Sequence, residues 1–155
     1  MSHKNISQYI IIILVSISSS ACYSLPGEKP SAVMEDAHSG GSIVAFNAQS
    51  TQLASGGWAG VVKVWKVPSG KLKKSWQAHS DSVNGIYFYE RGSSLVTAGY
   101  DGYLKLWTSN GKLKRKIFTG SPIMHMNASW KLNRMITGHK NGRIIIWNLD
   151  KLKVV

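Results

Sequence analysis

Three stretches of the chain share one pattern of apolar and polar positions, and each ends in tryptophan. They are LASGGWAGVVKVW at 53–65, LVTAGYDGYLKLW at 95–107 and MITGHKNGRIIIW at 135–147. The tryptophans Trp65, Trp107 and Trp147 therefore recur at intervals of 42 and 40 residues. Each stretch predicts two strands joined by a tight turn, and a period near forty indicates an array of four-stranded units.

The turn residues and the residues after them support this interpretation. Asp101-Gly102 and Asn141-Gly142 tolerate positive φ at both centres of a type I′ turn, whereas Ala59-Gly60 keeps only the glycine. Beyond the turns, side chains alternate between two faces, and both faces carry apolar groups. One face is predicted to hold Val62, Val64, Leu104, Leu106, Ile144 and Ile146, and the other the three tryptophans. Such strands need cover on both sides, as in stacked sheets where each repeat buries its neighbour.

These features resemble the WD-repeat family of β-propellers, whose blades are four-stranded antiparallel sheets. The resemblance covers about residues 31–155 and implies an all-β fold, a partial β-propeller of about three blades. Family members join a His before the first strand, a Ser or Thr in the second strand, the turn Asp and the third-strand Trp in a hydrogen-bonded tetrad. The middle blade matches this pattern fully, with His79, Thr97, Asp101 and Trp107.

The two outer blades depart from the tetrad of the resemblance. The first keeps His38, Ser55 and Trp65 but has Ala59 in place of the acid. The third keeps Thr137 and Trp147, with Asn141 in place of the acid and Thr119 in place of the histidine. An incomplete buried polar network is worse than a complete one, so we expect the outer blades to be less rigid.

The resemblance divides the chain into blades at 38–78, 79–118 and 119–155, the last of them incomplete. Residues 31–37 align with a fourth strand and are expected to form the outer strand of a closing blade. Propellers typically have about four to eight blades, so three leave two apolar faces open. Three explanations remain. The chain is a fragment of a larger propeller, including a truncated product without independent function; or copies associate to complete the ring; or it is a stable open arc.

The first 30 residues differ in character from the rest. Residues 1–21 combine a polar start, an apolar run and small residues, which is the order of a secretory signal peptide and predicts an N-terminal signal helix. The SSSAC segment resembles the lipobox of bacterial lipoproteins, which implies lipidation of Cys22, a tether over 22–30 and attachment to a membrane of the bacterial cell envelope. By the same resemblance, Tyr23 favours the outer membrane. A secreted protein with a lone thiol is the alternative.

The chain is strongly basic, with 19 Lys and Arg against 7 Asp and Glu and a net charge of +12. Many basic residues lie in the predicted outermost strands: Lys71, Lys73, Lys74, Lys112, Lys114, Arg115, Lys116, Lys151 and Lys153. We favour protection of exposed sheet edges, because the lysines recur in every blade. Attraction to a polyanion or an anionic membrane surface is the alternative. Nucleic acid is not predicted as a partner, since no aromatic-rich basic groove is apparent.

No catalytic or metal-binding motif occurs in the sequence. HExxH, CxxC and a glycine-rich phosphate loop are absent, and the acids show no ligand spacing. His139 follows Thr137-Gly138 and is interpreted as a structural or solvent-facing residue, the alternative being a ligand contact. The sequence therefore predicts no enzyme, no cofactor and no metal.

One variable position in the repeated frame carries the functional prediction. Trp58, Tyr100 and Lys140 stand just before the turn residue of each blade, where equivalent loops emerge on one face. Exposed aromatic and cationic residues are typical of binding hot spots, whereas packing over the neighbouring blade is the alternative for Trp58. Ser80, Asp81 and Tyr103 are expected at the periphery. The sequence thus predicts a scaffold that binds another protein or a peptide on this face; the alternative is a small-ligand-binding or hydrolytic propeller.

Overall fold

The computed structural model describes residues 32–35, 37–89 and 92–155. The predicted signal peptide over 1–21, Cys22 and the tether over 22–30 lie outside the described residues. Twelve strands and no α-helix occur in the described ranges. The strands are β1 (Ser42–Phe46), β2 (Gln52–Gly57), β3 (Val61–Lys66), β4 (Leu72–Gln77), β5 (Val83–Tyr89), β6 (Ser94–Gly99), β7 (Tyr103–Thr108), β8 (Leu113–Phe118), β9 (Ile123–Ser129), β10 (Arg134–His139), β11 (Ile144–Asn148) and β12 (Lys153–Val154).

The strands pair into three four-stranded antiparallel sheets, which confirms the predicted all-β fold. Blade 1 contains β1–β4, blade 2 contains β5–β8 and blade 3 contains β9–β12, each in chain order. Gly60, Gly102 and Gly142 lie in the turns between second and third strands, with φ of 75°, 79° and 81°. Glycine adopts this left-handed conformation without the steric cost that a side chain brings. In the part of the chain that is described, no helix has the length and apolarity to cross a bilayer.

The three blades stack side by side and bury two hydrophobic cores. Between blades 1 and 2, the fully buried Val62 and Val64 lie in one cluster with Leu95 and Trp107. Between blades 2 and 3, Leu104 lies in a second cluster with Met135, Trp147 and their neighbours. Full burial of one such aliphatic side chain contributes about 1.5–3 kcal/mol, so these interfaces hold the arc together.

The outward faces of the two end blades remain open, as predicted for three blades. On blade 3, Ile144 is 76% exposed, although its equivalents Val62 and Leu104 are buried. On blade 1, Phe46 is 59% exposed, whereas its equivalent Phe88 in blade 2 is only 7% exposed. The same kind of surface that forms the internal interfaces is thus presented at both ends of the arc.

The outer strands at the two ends differ from complete ones. Residues 32–35 and 37 form no strand, so the outer strand predicted over 31–37 is not observed in its described part. An outer strand pairs with the third strand of a blade, and β3, β7 and β11 already pair with β4, β8 and β12. Within the described ranges, residues 32–35 and 37 therefore have no third strand left to pair with. In blade 3 the outer strand β12 contains two residues.

The turns at the two ends of the strands form two further surfaces of the arc. We call the surface formed by 58–60, 100–102 and 140–142 the loop face; these turns join second and third strands. We call the surface at the other ends of the strands, which includes turns 47–51, 67–71, 109–112, 130–133 and 149–152, the opposite face. Blades 2 and 3 are joined there by a hydrogen bond of 2.6 Å from Arg115 Nη1 to the Lys151 carbonyl. The polar networks described next lie toward the loop face.

Candidate functional site

Blade 2 contains a buried relay of hydrogen bonds that runs from an indole to a carboxylate. Trp107 Nε1 donates to Thr97 Oγ1 at 2.9 Å, and the Thr97 hydroxyl donates to His79 Nε2 at 2.7 Å. His79 Nδ1 then donates to Asp101 Oδ1 at 2.8 Å. His79 enters from the segment before β5, Thr97 from β6, Asp101 from the turn and Trp107 from β7. The four tetrad residues therefore connect the segment before β5, the strands β6 and β7 and the turn between them.

The protonation of this relay follows from its burial. Burial lowers the pKa of His79, although Asp101 acts in the opposite direction, so the imidazole is neutral near pH 7. Burial by itself raises the pKa of Asp101, but its interactions with His79 and with the N–H groups of Tyr103 and Ser80 outweigh it, and the pKa is lowered. The His79–Asp101 contact is thus a hydrogen bond from a neutral ring to a carboxylate, a charge-assisted contact that is stronger than a neutral one.

Blade 1 holds a shorter version of the relay. Trp65 Nε1 donates to Ser55 Oγ at 2.8 Å, and Ser55 Oγ lies 2.8 Å from His38 Nε2. Ala59 brings no carboxylate, so the relay ends at the ring. Burial, together with the charge of Lys63, lowers the pKa of His38.

Blade 3 rebuilds the relay with a histidine from a different place. Trp147 Nε1 donates to Thr137 Oγ1 at 2.9 Å, and Thr137 Oγ1 lies 2.8 Å from His139 Nε2. His139 Nδ1 faces the Ser121 carbonyl at 3.4 Å, and His139 is only 6% exposed. The ring therefore belongs to β10 itself, and a main-chain carbonyl stands where the carboxylate of blade 2 stands.

The glycines of the other blades explain why only blade 3 uses this arrangement. His139 aligns with Gly57 and Gly99, where an added Cβ would lie 2.7 Å from His38 and 2.3 Å from His79 Nδ1. The side chain at this strand position and the ring before the first strand thus compete for one space. In blade 3, Thr119 leaves that space free, and its hydroxyl donates to the Gly102 carbonyl at 2.9 Å instead.

The structural role of His139 was one of two roles left open by the sequence, and the tetrad pattern did not place it in the relay. Two changes in the sequence of blade 3 indicate this position: the expected histidine is replaced by Thr119, and a histidine, His139, stands where the other blades have glycine. Residues two apart on a strand share a face, so Thr137 and His139 were positioned to meet. Asn141, which aligns with Asp101, instead accepts a hydrogen bond from the Arg143 N–H at 3.2 Å.

Trp58 lies on the loop face with one side of its ring on backbone. An added Cβ on Gly40 or Gly41 would approach its indole to 2.6 Å or 2.1 Å, so the ring rests on both glycines. The side chain nevertheless remains 69% exposed. Trp58 therefore packs on its own blade, not over the neighbouring one, and it still presents a broad aromatic surface.

Tyr100 and Lys140 meet across the boundary between blades 2 and 3. Lys140 Nζ donates to the Tyr100 hydroxyl at 2.7 Å and lies 5.3 Å from the ring centroid. This hydrogen bond raises the pKa of Lys140, so its ammonium group stays charged. The contact brings two of the three predicted binding residues together; it places an aromatic ring and a cation on one continuous surface.

The peripheral residues of the prediction occupy two settings. Ser80 and Asp81 are exposed on the segment that joins blades 1 and 2, and Asp81 accepts a hydrogen bond from the Ser82 N–H at 2.6 Å. Tyr103 is half-buried at the start of β7, with its ring 5.1 Å from that of Phe118. Tyr103 therefore packs at the outer edge of blade 2, whereas Ser80 and Asp81 remain accessible beside the loop face.

Within the described ranges, no group of three or more His, Cys, Asp or Glu side chains is arranged to hold a metal ion. The relay histidines are engaged with hydroxyl and carboxylate partners of their own blades. The arrangement can orient strands and turns, and it presents aromatic and cationic groups on the loop face.

Comparison with known proteins agrees with this architecture. The family model for the WD domain, G-beta repeat, matches residues 29–66 and 70–108. The chain is 30% identical over 109 residues to protein tipD of Dictyostelium discoideum, covering 70% of this chain and 18% of that protein. It is 28% identical over 117 residues to the small ribosomal subunit protein RACK1y of Oryza sativa subsp. japonica, covering 74% of this chain and 34% of that protein.

Two further similarities concern a coat subunit and a solved propeller. The chain is 32% identical over 110 residues to the probable coatomer subunit beta' of Schizosaccharomyces pombe, covering 68% of this chain and 14% of that protein. The β-propeller domain of Cps50 (Swd1) from Myceliophteria thermophila superposes with a TM-score of 0.64 at 21% identity, covering 76% of this chain and 37% of that one. The chain thus spans about a third or less of the lengths of these proteins. With repeats matched in the family model and three blades in the fold, the chain belongs to the WD-repeat family of β-propellers.

Proposed function

We propose that the chain is a non-enzymatic scaffold that binds another protein or a peptide on its loop face. Two relatives belong to assemblies by name, one as a probable coatomer subunit and the other as a small ribosomal subunit protein. The observation that carries the proposal is the continuous surface of Tyr100 and Lys140, joined at 2.7 Å, on the same face as the exposed Trp58. Tryptophan and tyrosine are among the residues that dominate binding energies at protein interfaces, and Lys140 adds a positive charge beside them.

The rigid relays beneath this surface support its use in binding. Asp101, which accepts from His79, is the residue next to Tyr100, so the network of blade 2 fixes the backbone that presents this ring. A side chain that is ordered before binding loses less conformational entropy in the complex. The loop face therefore meets the requirement for a preorganised contact surface.

Site-specific photo-crosslinking in the native host tests the proposal. A photoreactive phenylalanine analogue replaces Tyr100 on the loop face or, as a control, the exposed Asn110 on the opposite face. We expect a discrete adduct from position 100 and none of the same mass from position 110, and we expect Trp58→Ala to reduce that adduct. Identical adducts from both positions, or an adduct that is insensitive to Trp58→Ala, would contradict the proposal.

We also propose that Cys22 carries lipid and holds the propeller at a bacterial membrane, with the outer membrane as the expected location. The support is the order of the first 22 residues, in which a polar start, an apolar run and small residues precede the single cysteine. Metabolic labelling with a fatty-acid analogue is expected to mark the wild-type chain and not Cys22→Ser. Label that persists in Cys22→Ser, or secretion of an unlabelled wild-type chain, would favour an ordinary secreted protein.

We further propose that the open faces of the arc are covered in the working protein, either by further blades of a larger propeller or by a second copy. The support is the contrast between Ile144, 76% exposed, and its buried equivalents Val62 and Leu104. Light scattering coupled to size exclusion separates the possibilities. A discrete dimer or larger ring favours self-assembly, an aggregate favours a fragment, and a monodisperse monomer indicates an open arc.

A further inference from the structure

The opposite face of blade 3 ends in an apolar tip that neither the relays nor the loop face explains. Trp130 and Leu132 lie in the turn between β9 and β10, and each is 70% exposed. The corresponding turn of blade 1 carries Ala48 and Ser50 at the aligned positions. A single exposed apolar residue is ordinary, but two large ones at the apex of one short turn indicate a contact with an apolar phase.

This turn is held in a fixed conformation. The Asn133 N–H donates to the Trp130 carbonyl at 3.1 Å, and Asn133 itself has a φ of 48°. Asn133 Nδ2 donates to Asp150 Oδ2 at 2.7 Å, and the Asp150 N–H donates back to Asn133 Oδ1 at 3.1 Å. The two apolar side chains are therefore presented outward by a turn that is anchored to the neighbouring turn of the same blade.

Basic residues surround the apolar tip and extend across the opposite face. Lys131 lies between the two apolar residues, with its Nζ 6.0 Å from the Trp130 ring, and Arg134 follows the turn. Exposed basic residues also lie in the other turns of this face or directly beside them: Lys66, Lys71, Lys112 and Lys151. Among the described residues in these turns, Asp150 is the acid, and it is engaged with Asn133. Large apolar tips among cations match the interfacial zone of an anionic bilayer, where tryptophan is enriched and basic groups are attracted to headgroups.

The start of the described chain lies on the same face. An added Cβ on Gly70, in the turn between β3 and β4, would lie 3.2 Å from the Cβ of Ala32. Ala32, the first residue that the structure describes, therefore lies at the opposite face on blade 1, while the apolar tip lies on blade 3. A tether that begins at Cys22 would draw this face, and not the loop face, toward a membrane.

We infer that the opposite face docks on an anionic lipid bilayer, with Trp130 and Leu132 inserted at the interface and the surrounding lysines and arginines on the headgroups. This contact extends the proposed function, because it turns the loop face away from the membrane and toward a protein partner. It rests on the proposed function only for the tether at Cys22. It also gives the high positive charge a role beyond the protection of sheet edges.

Single-cysteine forms of the full chain test the contact without lipidation. Cys22→Ser is combined with Leu132→Cys or, as a control on the loop side, with Ser80→Cys, and each form is labelled with an environment-sensitive fluorophore. On vesicles of phosphatidylcholine with phosphatidylglycerol, we expect the label at 132 to shift to shorter wavelengths and to be quenched by nitroxide lipids. The label at 80 should show neither change, and phosphatidylcholine alone should give a much weaker response at 132.

Charge reversal and salt give the second arm of the test. Lys131→Glu with Arg134→Glu, both at exposed positions, should weaken the response at 132, as should salt near 1 M, where the Debye length falls to about 3 Å. An equal response at 80 and 132, no response at 132, or a response that ignores lipid charge would overturn the inference. Cys22→Ser removes the proposed lipid attachment site, and neither Leu132→Cys nor the charge reversals alter the loop face. A failure of this test therefore does not bear on the proposed tether or on the proposed scaffold, which have their own tests.

Discussion

Blade 2 and blade 3 both hold an indole, a threonine hydroxyl and an imidazole in one buried relay, but the imidazole comes from different parts of the chain. In blade 2 it is His79, which enters from the segment before β5. In blade 3 it is His139, which lies two residues after Thr137 on β10 itself. In both blades the indole donates to the threonine hydroxyl and the hydroxyl lies within hydrogen-bond distance of the ring Nε2, whereas Nδ1 faces a carboxylate in blade 2 and a carbonyl in blade 3.

The fold therefore requires an imidazole in the relay more strictly than it requires that this imidazole come from a particular segment of the chain. A buried hydroxyl and indole need partners, and any ring that reaches the same space satisfies them. The relocated histidine no longer links the segment before the first strand to the turn after the second strand. His79 ties the approach to β5 to the turn at Asp101, whereas His139 ties β10 mainly to itself and to Ser121 by a longer contact of 3.4 Å.

Removal of the two histidines should break the comparison most strongly. His79→Ala removes a charge-assisted hydrogen bond from Asp101 and a second hydrogen bond from Thr97, and it is expected to lower the free energy of unfolding by about 3 kcal/mol. His139→Ala removes one short hydrogen bond and should cost about 1–2 kcal/mol. Denaturant unfolding of both variants measures the difference; equal losses would contradict the distinction between the blades.

A rescue sharpens the same comparison. Thr119→His places a histidine where blades 1 and 2 have theirs, and His139→Gly clears the space as Gly57 and Gly99 do. The double variant should therefore recover most of the stability lost in His139→Gly, whereas Thr119→His alone should destabilise because two rings compete. A double-mutant cycle quantifies the coupling. No coupling between the two sites would mean that the rings do not occupy equivalent space.

Substitution of two glycines by alanine should give the next largest difference in stability between blades 2 and 3. Gly99→Ala would place Cβ 2.3 Å from His79 Nδ1 and 2.5 Å from Asp101 Oδ1, so the relay must shift, at a cost of about 2 kcal/mol. Gly138→Ala in blade 3 is a control for the same substitution at a non-equivalent position, because nothing lies within 4 Å of its added Cβ. Thermal unfolding should show a lowered midpoint for Gly99→Ala and a nearly unchanged one for Gly138→Ala.

The sequence predicted the fold more fully than it predicted these networks. Recurrent tryptophans and turn glycines determine sheets of four strands, because period-two alternation and tight turns are local properties. The ring position of His139 depends on Thr119, which is distant in the chain, so a motif read blade by blade does not reveal it. The apolar tip at Trp130 was missed for a related reason, since which turns share a face with the start of the chain follows from three-dimensional packing.

Acid pH should weaken blade 2 through its histidine. Burial lowers the pKa of His79 below its value in the unfolded chain, about 6.5, so unfolding takes up protons as the pH falls. Stability should therefore be fully present above about pH 6.5 and should decline as the pH falls below it toward the folded pKa. His38 contributes in the same direction. Unfolding titrations of wild type and His79→Ala should show a smaller decline in the variant; an equal decline would exclude His79 as a source.

The smallest expected effect comes from completing the relay of blade 1. Ala59→Asp introduces the carboxylate that Asp101 supplies in blade 2, and it should raise the free energy of unfolding by about 1 kcal/mol or less, because His38 is only partly buried. It should also raise the pKa of His38, which can be followed by nuclear magnetic resonance. A destabilised variant would show that the ring of His38 does not point toward this turn.

Exchange of the indole protons tests the central claim most directly, namely that in every blade a buried indole donates to a strand hydroxyl that lies against an imidazole. The Nε1 protons of Trp65, Trp107 and Trp147 donate to Ser55, Thr97 and Thr137, whereas Trp58 and Trp130 are largely exposed. In deuterated buffer, the first three indole signals should persist long after those of Trp58 and Trp130 have gone. Exchange of the Trp147 proton as fast as that of Trp130 would contradict the relocation of the histidine in blade 3.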